Sequence, residues 1–246
     1  MSVQKAGGVA SISWSITCPR ITLIFVVNKP SFYFDVLYPF QNRVLQILHG
    51  VNTGFYLTGG TAASRGFLNH RFSDDLDFFI NDDDRFSLWV ERIIQAINHQ
   101  AGWLCTVLLK EDRFARVNLV EDNVLLKLEW VNDVPARVGE PLEDPILGWL
   151  DTPENILANK VTALLDREEP KDFADLWGFC CKMKLSLPDA LKNADSKAAG
   201  VFPADLARLL CTVTEADWEA VRWITPPPKD EFINQLIALG ESLILS

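Results

Sequence analysis

The chain has 246 residues, of which 48% are hydrophobic, including 15 Phe and 8 Trp, and this composition excludes a disordered chain. Its formal net charge of −10 disfavours loose, sequence-independent binding to nucleic acid, because such binding depends on neutralising phosphates with Lys and Arg. A local basic patch is still compatible with this charge, and an acidic surface also suits a basic protein partner.

Cysteine usage indicates a reducing compartment. The five cysteines form an odd number and contain no Cys-x-x-Cys pair. This pattern argues against a zinc site or a disulfide framework, and it predicts a cytoplasmic protein. The three histidines, His49, His70 and His99, are scattered along the chain and form no ligand cluster.

The first 29 residues fit the rest of the chain poorly. Their apolar run, residues 21–27, is far shorter than the roughly 20 residues that a membrane-spanning helix needs. A signal peptide is a weak alternative, because Lys5 gives only a thin positive region and no clear cleavage site follows. We therefore predict no membrane association, and we interpret residues 1–29 as an extension or as a strand that docks on the body.

The next segment predicts a helix, a strand and a second helix. Apolar residues recur at helical spacing over residues 36–48, residues 55–58 form an apolar run, and residues 61–69 resume a helical pattern. Gly59 and Gly60 lie between the strand and the second helix. Glycines at this point let backbone N–H groups approach an anion at the helix N-terminus, although a Gly-Gly pair alone is usually only a turn.

Two aspartates open the following strand, which is predicted over residues 76–80. Alternate residues of a strand share a face, so Asp75 and Asp77 would point the same way, about 6–7 Å apart. Carboxylates that close repel each other unless a cation lies between them, and Mg²⁺ prefers such oxygen ligands. An Asp-x-Asp pair alone is more often a solvated strand edge. Because it follows Gly59 and Gly60 and leads into a buried strand, this pair predicts a metal-assisted phosphate site.

One helix and three strands are predicted next. The acidic triplet at residues 82–84 is interpreted as a helix start, since negative charge is favoured at a helix N-terminus, and this helix should end near Gln100. Three apolar runs then predict strands, at residues 103–109, 114–120 and 124–131. Acidic residues and an Asn between the last two runs predict a hairpin turn.

Helices are predicted to dominate the second half of the chain. Gly and Pro residues between 138 and 153 predict a linker where strands give way to helices. Thr152 and Pro153 then start a helix, as N-cap and first helical residue. Lys160 lies close to the buried stripe of this helix, so it is either a snorkelling lysine or a buried cation with an anionic partner. Asp172 follows at the start of the next helix, where its charge is favoured. Later helices are predicted at residues 188–193, 203–210, 215–223 and 229–243.

Two separated segments of the chain resemble a known family. Residues 57–62, with Arg65, Arg71 and residues 73–77, resemble the nucleotidyltransferase superfamily, which shares a core with DNA polymerase beta. More narrowly, they look like the AbiEii/AbiGii toxin family, which supplies the toxins of a class of bacterial toxin–antitoxin and phage-defence systems. A second match follows in the expected order and comprises residues 153–160, Arg167 and residues 171–176.

The resemblance extends over residues 35 to 240 and implies an architecture. An α/β (α+β) nucleotidyltransferase core, with a mixed sheet flanked by helices, would occupy residues 30–150. A C-terminal helical domain, residues 151–246, would complete the active-site cleft. Ligand pockets are common between domains, so we expect the site there.

The resemblance also implies a function. The chain would be a toxin that transfers a nucleoside monophosphate from a nucleoside triphosphate (NTP) to an acceptor hydroxyl, on RNA such as tRNA or on a protein, with the help of Mg²⁺. A cognate antitoxin protein would be its partner. Two alternatives share the glycine–aspartate core: an antibiotic-modifying enzyme that acts on an aminoglycoside, and a catalytically silent module that binds a nucleotide or an antitoxin.

Individual residues receive roles from the same resemblance. Those implied to be catalytic are Asp75, Asp77, Lys160 and Asp172, the last either orienting the lysine or acting as a base. The metal would be held by Asp75, Asp77 and Glu129. The nucleotide would be bound by Gly59, Gly60, Thr61, Arg65, Arg71, Ser73 and Lys160. For Glu129 the alternative is a cross-strand salt bridge on a solvated face.

Overall fold

One sheet of seven strands organises residues 29–245, the part of the chain that this computed structural model describes. The interpretation of the N-terminal extension falls on residues that lie, apart from Lys29, outside this range. The strands are β1 (Tyr56–Thr58), β2 (Leu76–Asn81), β3 (Leu104–Lys110), β4 (Phe114–Glu121), β5 (Val124–Asp133), β6 (Leu142–Asp144) and β7 (Gly148–Leu150).

The sheet is mixed, as predicted. Its strand order is β3-β4-β5-β2-β1-β7-β6. Strand β2 pairs parallel with β5 and antiparallel with β1, and β1 pairs parallel with β7. The remaining neighbours are antiparallel. The β4–β5 hairpin turns at Asp122 and Asn123, whose φ angles of 47° and 64° are those that Asn and Asp tolerate best, so the predicted hairpin turn is confirmed.

Helices flank the sheet and then continue to the C-terminus. Three of them contain a wider π-helical stretch: α1 over residues 30–50, α2 over residues 59–68 and α5 over residues 170–182. The others are α3 (Phe86–Asn98), α4 (Pro153–Arg167), α6 (Leu187–Asp195), α7 (Pro203–Cys211), α8 (Glu215–Ala220) and α9 (Lys229–Leu245). The prediction of a mixed sheet flanked and followed by helices is therefore confirmed.

The acidic triplet does not start α3 as predicted. Asp82 has a φ of 47°, outside the helical range, and the Asp83 carboxylate accepts a hydrogen bond of 2.8 Å from the backbone N–H of Arg85. The triplet thus forms a tight turn after β2, and α3 begins only at Phe86. Asp side chains form such local turns readily, which competes with helix capping.

The predicted linker contains two short strands. Leu57 of β1 pairs with Leu150 of β7, and the backbone N–H of Asp151 donates to the carbonyl of Leu57 at 2.9 Å. These three-residue strands were not predicted, because the Gly and Pro residues around them are typical of loops. The predicted cap of α4 is confirmed, because the Thr152 hydroxyl accepts a hydrogen bond from the N–H of Asn155.

The sheet has one apolar face and one polar face, and this division positions the site. The alternate residues of β4 and β5 that are fully buried are Ala115, Val117, Leu119, Leu126, Leu128 and Trp130. Helices α1 and α3 lie against this apolar side, where Phe40 contacts Trp103 and Phe86 contacts Phe55. The intervening residues of β5, including Lys127 and Glu129, face the other side, toward α4.

The C-terminal segment returns to the sheet before its last helix. The backbone N–H of Phe72 donates to the carbonyl of Arg222, and that of Ile224 donates to the carbonyl of His70. These bonds attach the chain after α8 to the segment that leads into β2. Within residues 29–245, no helix is both long and apolar enough to cross a membrane.

Candidate active site

A cleft of about 290 Å³ separates the polar face of the sheet from helices α4 and α5, close to the size of small ligand pockets. It brings together residues from both halves of the chain. Those on the sheet side include Gly59, Gly60, Ser73, Asp75, Asp77, Lys127 and Glu129. Those on the helical side include Asn159, Lys160, Arg167 and Lys171. Residues 100 positions apart in sequence therefore share one cavity.

Asp77 is the least compensated carboxylate of the cleft. It lies on β2 between Thr58 of β1 and Glu129 of β5. Burial, the Glu129 carboxylate and the Asp75 carboxylate together raise the pKa of Asp77 to about 6. A nearby cation would stabilise the ionised form of the Asp77 carboxyl, because opposite charge lowers the free energy of ionising it.

The glycine pair makes room for two charged side chains. Gly59 has a φ of +67°, and a Cβ atom there would collide with the Asp77 carboxylate. A Cβ atom on Gly60 would lie 2.7 Å from Nη2 of Arg71 and 2.9 Å from Oγ of Ser73. Both glycines are thus required by close approach, and Gly59 also by its backbone conformation.

Thr61 braces this turn from inside the protein. Its hydroxyl donates to the carbonyl of Asp75 at 2.5 Å and lies 3.0 Å from Oγ of Ser73. The side chain is fully buried. Thr61 therefore fixes the backbone between α2 and the start of β2, and Ser73 is the hydroxyl of this pair that lines the cleft.

Asp175 is the buried centre of a charge network behind the cleft. Its carboxylate accepts two hydrogen bonds of 2.7 Å from the guanidinium of Arg71 and lies 3.0 Å from Nε2 of His70. Lys160 Nζ lies 2.7 Å from its second oxygen. Arg71 and Lys160 together hold the pKa of Asp175 well below its usual range, against the opposing effect of burial. The guanidinium of Arg71 is thus paired with the carboxylate of Asp175.

Lys160 is held by two carboxylates. Its Nζ lies 2.8 Å from Asp172 and 2.7 Å from Asp175, and the side chain is only 6% exposed. Burial alone would lower the pKa of Lys160, but the two aspartates outweigh burial and raise it. The lysine is therefore the buried cation with anionic partners, which was one of the two alternatives for this position.

Asp172 is paired on both sides. Besides Lys160 it accepts hydrogen bonds of 2.8 and 3.1 Å from the guanidinium of Arg167. Burial would raise the pKa of Asp172, but Lys160 and Arg167 together lower it. A carboxylate in this state holds its proton weakly and orients its cationic neighbours.

Arg65 lies outside this group. Its guanidinium donates to the side chains of Gln41 and Asn42 and stacks on the ring of Tyr38, 4.5 Å from the ring centroid. All three partners belong to α1, and Arg65 is not among the residues that line the cleft. The structure therefore does not bring Arg65 to the cleft, and its nucleotide-binding role stays a prediction.

Glu129 forms the salt bridges that were the alternative to metal binding. Its carboxylate lies 2.7 Å from Nε of Arg116, its cross-strand partner on β4, and 3.2 Å from Nζ of Lys127. Lys127 also lies 2.8 Å from Asp75. Among residues 29–245, no group of three or more His, Cys, Asp or Glu side chains could hold a metal ion. All three carboxylates line the cleft, and their joint role in binding a metal stays a prediction.

The chemistry of the remaining pair still fits a hard divalent cation. Asp75 and Asp77 offer carboxylate oxygens, the ligands that Mg²⁺ prefers. The raised pKa of Asp77 has burial as its largest cause and like charge as its second, and a cation would relieve both. The donor chemistry of these two aspartates therefore fits such a cation.

Sequence reasoning did not assign Lys127 and Arg222, which line the cleft, or Asp175, which lies behind it, to the site. Asp175 lies three residues after Asp172, which places both on one face of α5, and this spacing could have revealed it. Lys127 shares a face of β5 with Glu129, a weaker signal. Arg222 has no local signal, because it comes from the distant segment after α8, and its guanidinium donates to both carboxylate oxygens of Asp74 at the cleft.

Comparisons with known proteins agree with this geometry. The family model described as "Nucleotidyl transferase AbiEii toxin, Type IV TA system" matches residues 43–220, more than half of the chain. An uncharacterized protein of Aquifex aeolicus is 26% identical over 179 residues, covering 72% of this chain and 82% of that protein.

Two solved structures share the fold. MenT4, a nucleotidyltransferase toxin from Mycobacterium tuberculosis H37Rv, is 18% identical with a TM-score of 0.61, covering 85% of this chain and 82% of that one. JHP933 from Helicobacter pylori is 20% identical with a TM-score of 0.56, covering 84% and 90%. At these identities the likeness shows the fold alone, and the predicted nucleotidyltransferase core is confirmed.

Alanine at position 59 should cost more stability than alanine at a comparable glycine. Gly102 also has a positive φ, +85°, but a Cβ atom there would meet nothing within 4 Å. Each Gly→Ala change should lose about 1–2 kcal/mol from backbone conformation. Gly59→Ala should lose at least about 1 kcal/mol more, because it also displaces the Asp77 carboxylate. Urea unfolding measures both, and equal losses would contradict the close approach.

Removing the charge of Asp175 should destabilise the fold strongly. Asp175→Asn would leave Arg71 and Lys160 short of a buried counter-charge, at a cost of about 3–5 kcal/mol in the free energy of unfolding. The exposed Asp112→Asn is the control and should change that free energy by less than about 0.5 kcal/mol.

The same variant has a predicted pH dependence. Because the folded pKa of Asp175 is depressed, its contribution is present above the unfolded value, about 3.9, and is lost as the pH falls through the folded pKa. The stability gap between wild type and Asp175→Asn should therefore narrow below about pH 4. A gap that widens on acidification would contradict this account.

Proposed function

The chain belongs to the AbiEii family of nucleotidyl transferase toxins, and from that premise we propose that it transfers a nucleoside monophosphate from an NTP to an acceptor hydroxyl. Pyrophosphate is the leaving group. The observation that carries the proposal is that a carboxylate pair, Asp75 and Asp77, shares a cleft with a buried lysine, Lys160.

Asp75 and Asp77 are proposed to hold a divalent cation, Mg²⁺ being the expected one. When bound, such a cation neutralises the triphosphate and activates the attacking oxygen. The two aspartates line the cleft, Asp77 on β2 and Asp75 just before it, and Gly59 lets Asp77 lie against the turn. The first backbone N–H groups of α2, at Gly59 and Gly60, are available for phosphate, as at other helix N-termini.

Lys160 is proposed to carry a fixed positive charge against the phosphates. Two carboxylates hold its Nζ, so its position is set before the substrate binds. Its raised pKa keeps it charged near neutral pH. A preorganised cation offsets the negative charge that develops on the leaving pyrophosphate without waiting for solvent to reorganise.

Asp172 is proposed to orient Lys160 and not to act as a base. The lowered pKa of Asp172 makes it a poor proton acceptor near neutral pH. Asp175 shares the orienting role from the opposite side of the ammonium. Between the two functions that the resemblance allowed for Asp172, the pairing with Lys160 and Arg167 supports the first.

RNA, such as tRNA, is the acceptor that the cleft favours. Arg167, Lys171 and Arg222 line it, are partly exposed and are each paired with a carboxylate. Basic side chains still outnumber acidic ones along the lining, in a chain of net charge −10. Phosphates would bind there, whereas a cationic aminoglycoside would meet like charge. A protein hydroxyl is a second acceptor with less support from these charges. We further propose a cytoplasmic protein with a cognate antitoxin.

Nucleotide transfer should depend on Asp77 and Lys160. The assay incubates the protein with each α-³²P-labelled NTP, Mg²⁺ and total tRNA. Lys160→Ala should lower the rate by about 10²-fold or more, because it removes a preorganised charge from the transition state. Asp77→Asn, which keeps the side-chain shape, should lower it comparably and stay folded by circular dichroism.

The exposed Lys192→Ala is the matched control and should transfer label at the wild-type rate. Expression of the wild type should slow bacterial growth, and expression of Asp77→Asn at an equal level should not. Wild-type turnover by the folded Asp77→Asn protein would overturn the assigned site. Label on protein and not on tRNA would overturn the choice of acceptor alone.

A further inference from the structure

Two charged rows cross the polar face of the sheet at the base of the cleft. In the first row, Asp77 on β2 lies beside Glu129 on β5, which lies beside Arg116 on β4. In the second row, Lys127 lies beside Asn118, and its Nζ reaches Asp75 at the entry to β2. Neighbouring strands are about 4.8 Å apart, so each side chain is within reach of the next.

Lys127 bridges the two rows. Its Nζ lies 2.8 Å from Oδ2 of Asp75 and 3.2 Å from Oε1 of Glu129. A point charge between two carboxylates at these distances stands where a metal ion shared by them would otherwise lie. The side chain is 36% exposed, so it is held by these contacts and not by core packing.

The carboxylates of the two rows differ in the number of cationic side chains that they contact. Glu129 has both Arg116 and Lys127, and Asp75 has Lys127. Asp77 forms no ion pair within residues 29–245, although it lies directly beside Glu129. The negative charge that is available to an added cation therefore centres on Asp77.

We propose that Lys127 is a built-in cation that replaces one of two metal ions, so that the cleft takes a single divalent cation, held by Asp77 and by the Asp75 oxygen that Lys127 does not contact. This inference rests on the proposed nucleotidyl transfer. Two-metal sites place their ions about 3.5–4 Å apart, and the second ion would have to share that space with an ammonium. Two like charges at about 4 Å repel strongly when little water lies between them.

The same arrangement gives Lys127 a positioning role. Its ammonium holds Asp75 and Glu129 at a fixed separation before any metal arrives, which neither carboxylate could keep alone because of their repulsion. A neutral side chain of similar length at this position would free both carboxylates to bind metal. The expected consequence is a change in the number or affinity of bound ions.

The test counts Mn²⁺ ions bound by the full chain, using electron paramagnetic resonance of free Mn²⁺ with a non-hydrolysable NTP analogue present. Wild type should bind one Mn²⁺ per chain. Lys127→Met, which keeps the length and removes the charge, should bind a second ion or bind the first at least about tenfold more tightly. Lys127→Arg should bind one, because it restores the cation.

Lys110→Met is the matched control. Lys110 lies on the same sheet and forms an ion pair with Glu91, but it does not line the cleft. This variant should bind one Mn²⁺ with wild-type affinity. Two ions in the wild type, no ion in any variant, or an unchanged count and affinity in Lys127→Met would each overturn the proposal.

The role proposed for Lys127 and the proposed nucleotide transfer can be overturned independently. A wild type that labels tRNA while binding two Mn²⁺ ions keeps the proposed function and overturns the role of Lys127. A wild type that binds one Mn²⁺, gains a second in Lys127→Met and labels no acceptor supports the role of Lys127 and overturns the transfer reaction.

Discussion

The shared carboxylate of Asp175 is the interaction on which the rest of the site depends. It joins Arg71, just before β2, to Lys160 on α4, and all three side chains are buried. Charges in such an environment are tolerated only when each one is paired. Separating the sheet side from the helical side would break these pairs and would therefore cost free energy. Gly60 then becomes necessary, because any larger residue would push against the Arg71 guanidinium.

This constraint also explains how an acidic chain builds a cleft for phosphates. The chain has a net charge of −10, whereas basic side chains outnumber acidic ones along the lining of the cleft. The aspartates of α5 hold Lys160 in place and keep it charged. Asp77 of β2 faces the same space with no ion pair among residues 29–245, and its pKa is raised. Fixed positive charge and cation-seeking negative charge thus meet across one cavity.

Sequence reasoning succeeded where a feature depends on local pattern. Alternation of apolar residues identified the long strands of the sheet, and Thr152 with Pro153 identified the start of α4. It failed where contacts between distant segments determine the local structure. Strand β7 pairs with β1 and β6 pairs with β7, contacts that no local pattern indicates. The acidic triplet after β2 forms a turn instead of a cap.

The residues of the site fall into the same two groups: those predicted from local pattern and those whose role depends on tertiary contacts. The glycine pair, Asp75, Asp77 and Lys160 stand out in the sequence by type and spacing, and all line the cleft. Side chains with several possible partners could not be assigned from sequence. Arg65 pairs with α1, Glu129 pairs with Arg116, and Asp175 collects three partners from two distant segments. A charged residue's role depends on which opposite charge is nearest in space.

A crystal structure with a non-hydrolysable NTP and Mn²⁺ would test the central claim most directly. The account predicts a triphosphate in the cleft, with a phosphate oxygen about 3 Å from Lys160 Nζ and one anomalous Mn²⁺ peak beside Asp77. A nucleotide bound elsewhere on the protein, with Lys160 still paired only to Asp172 and Asp175, would contradict it.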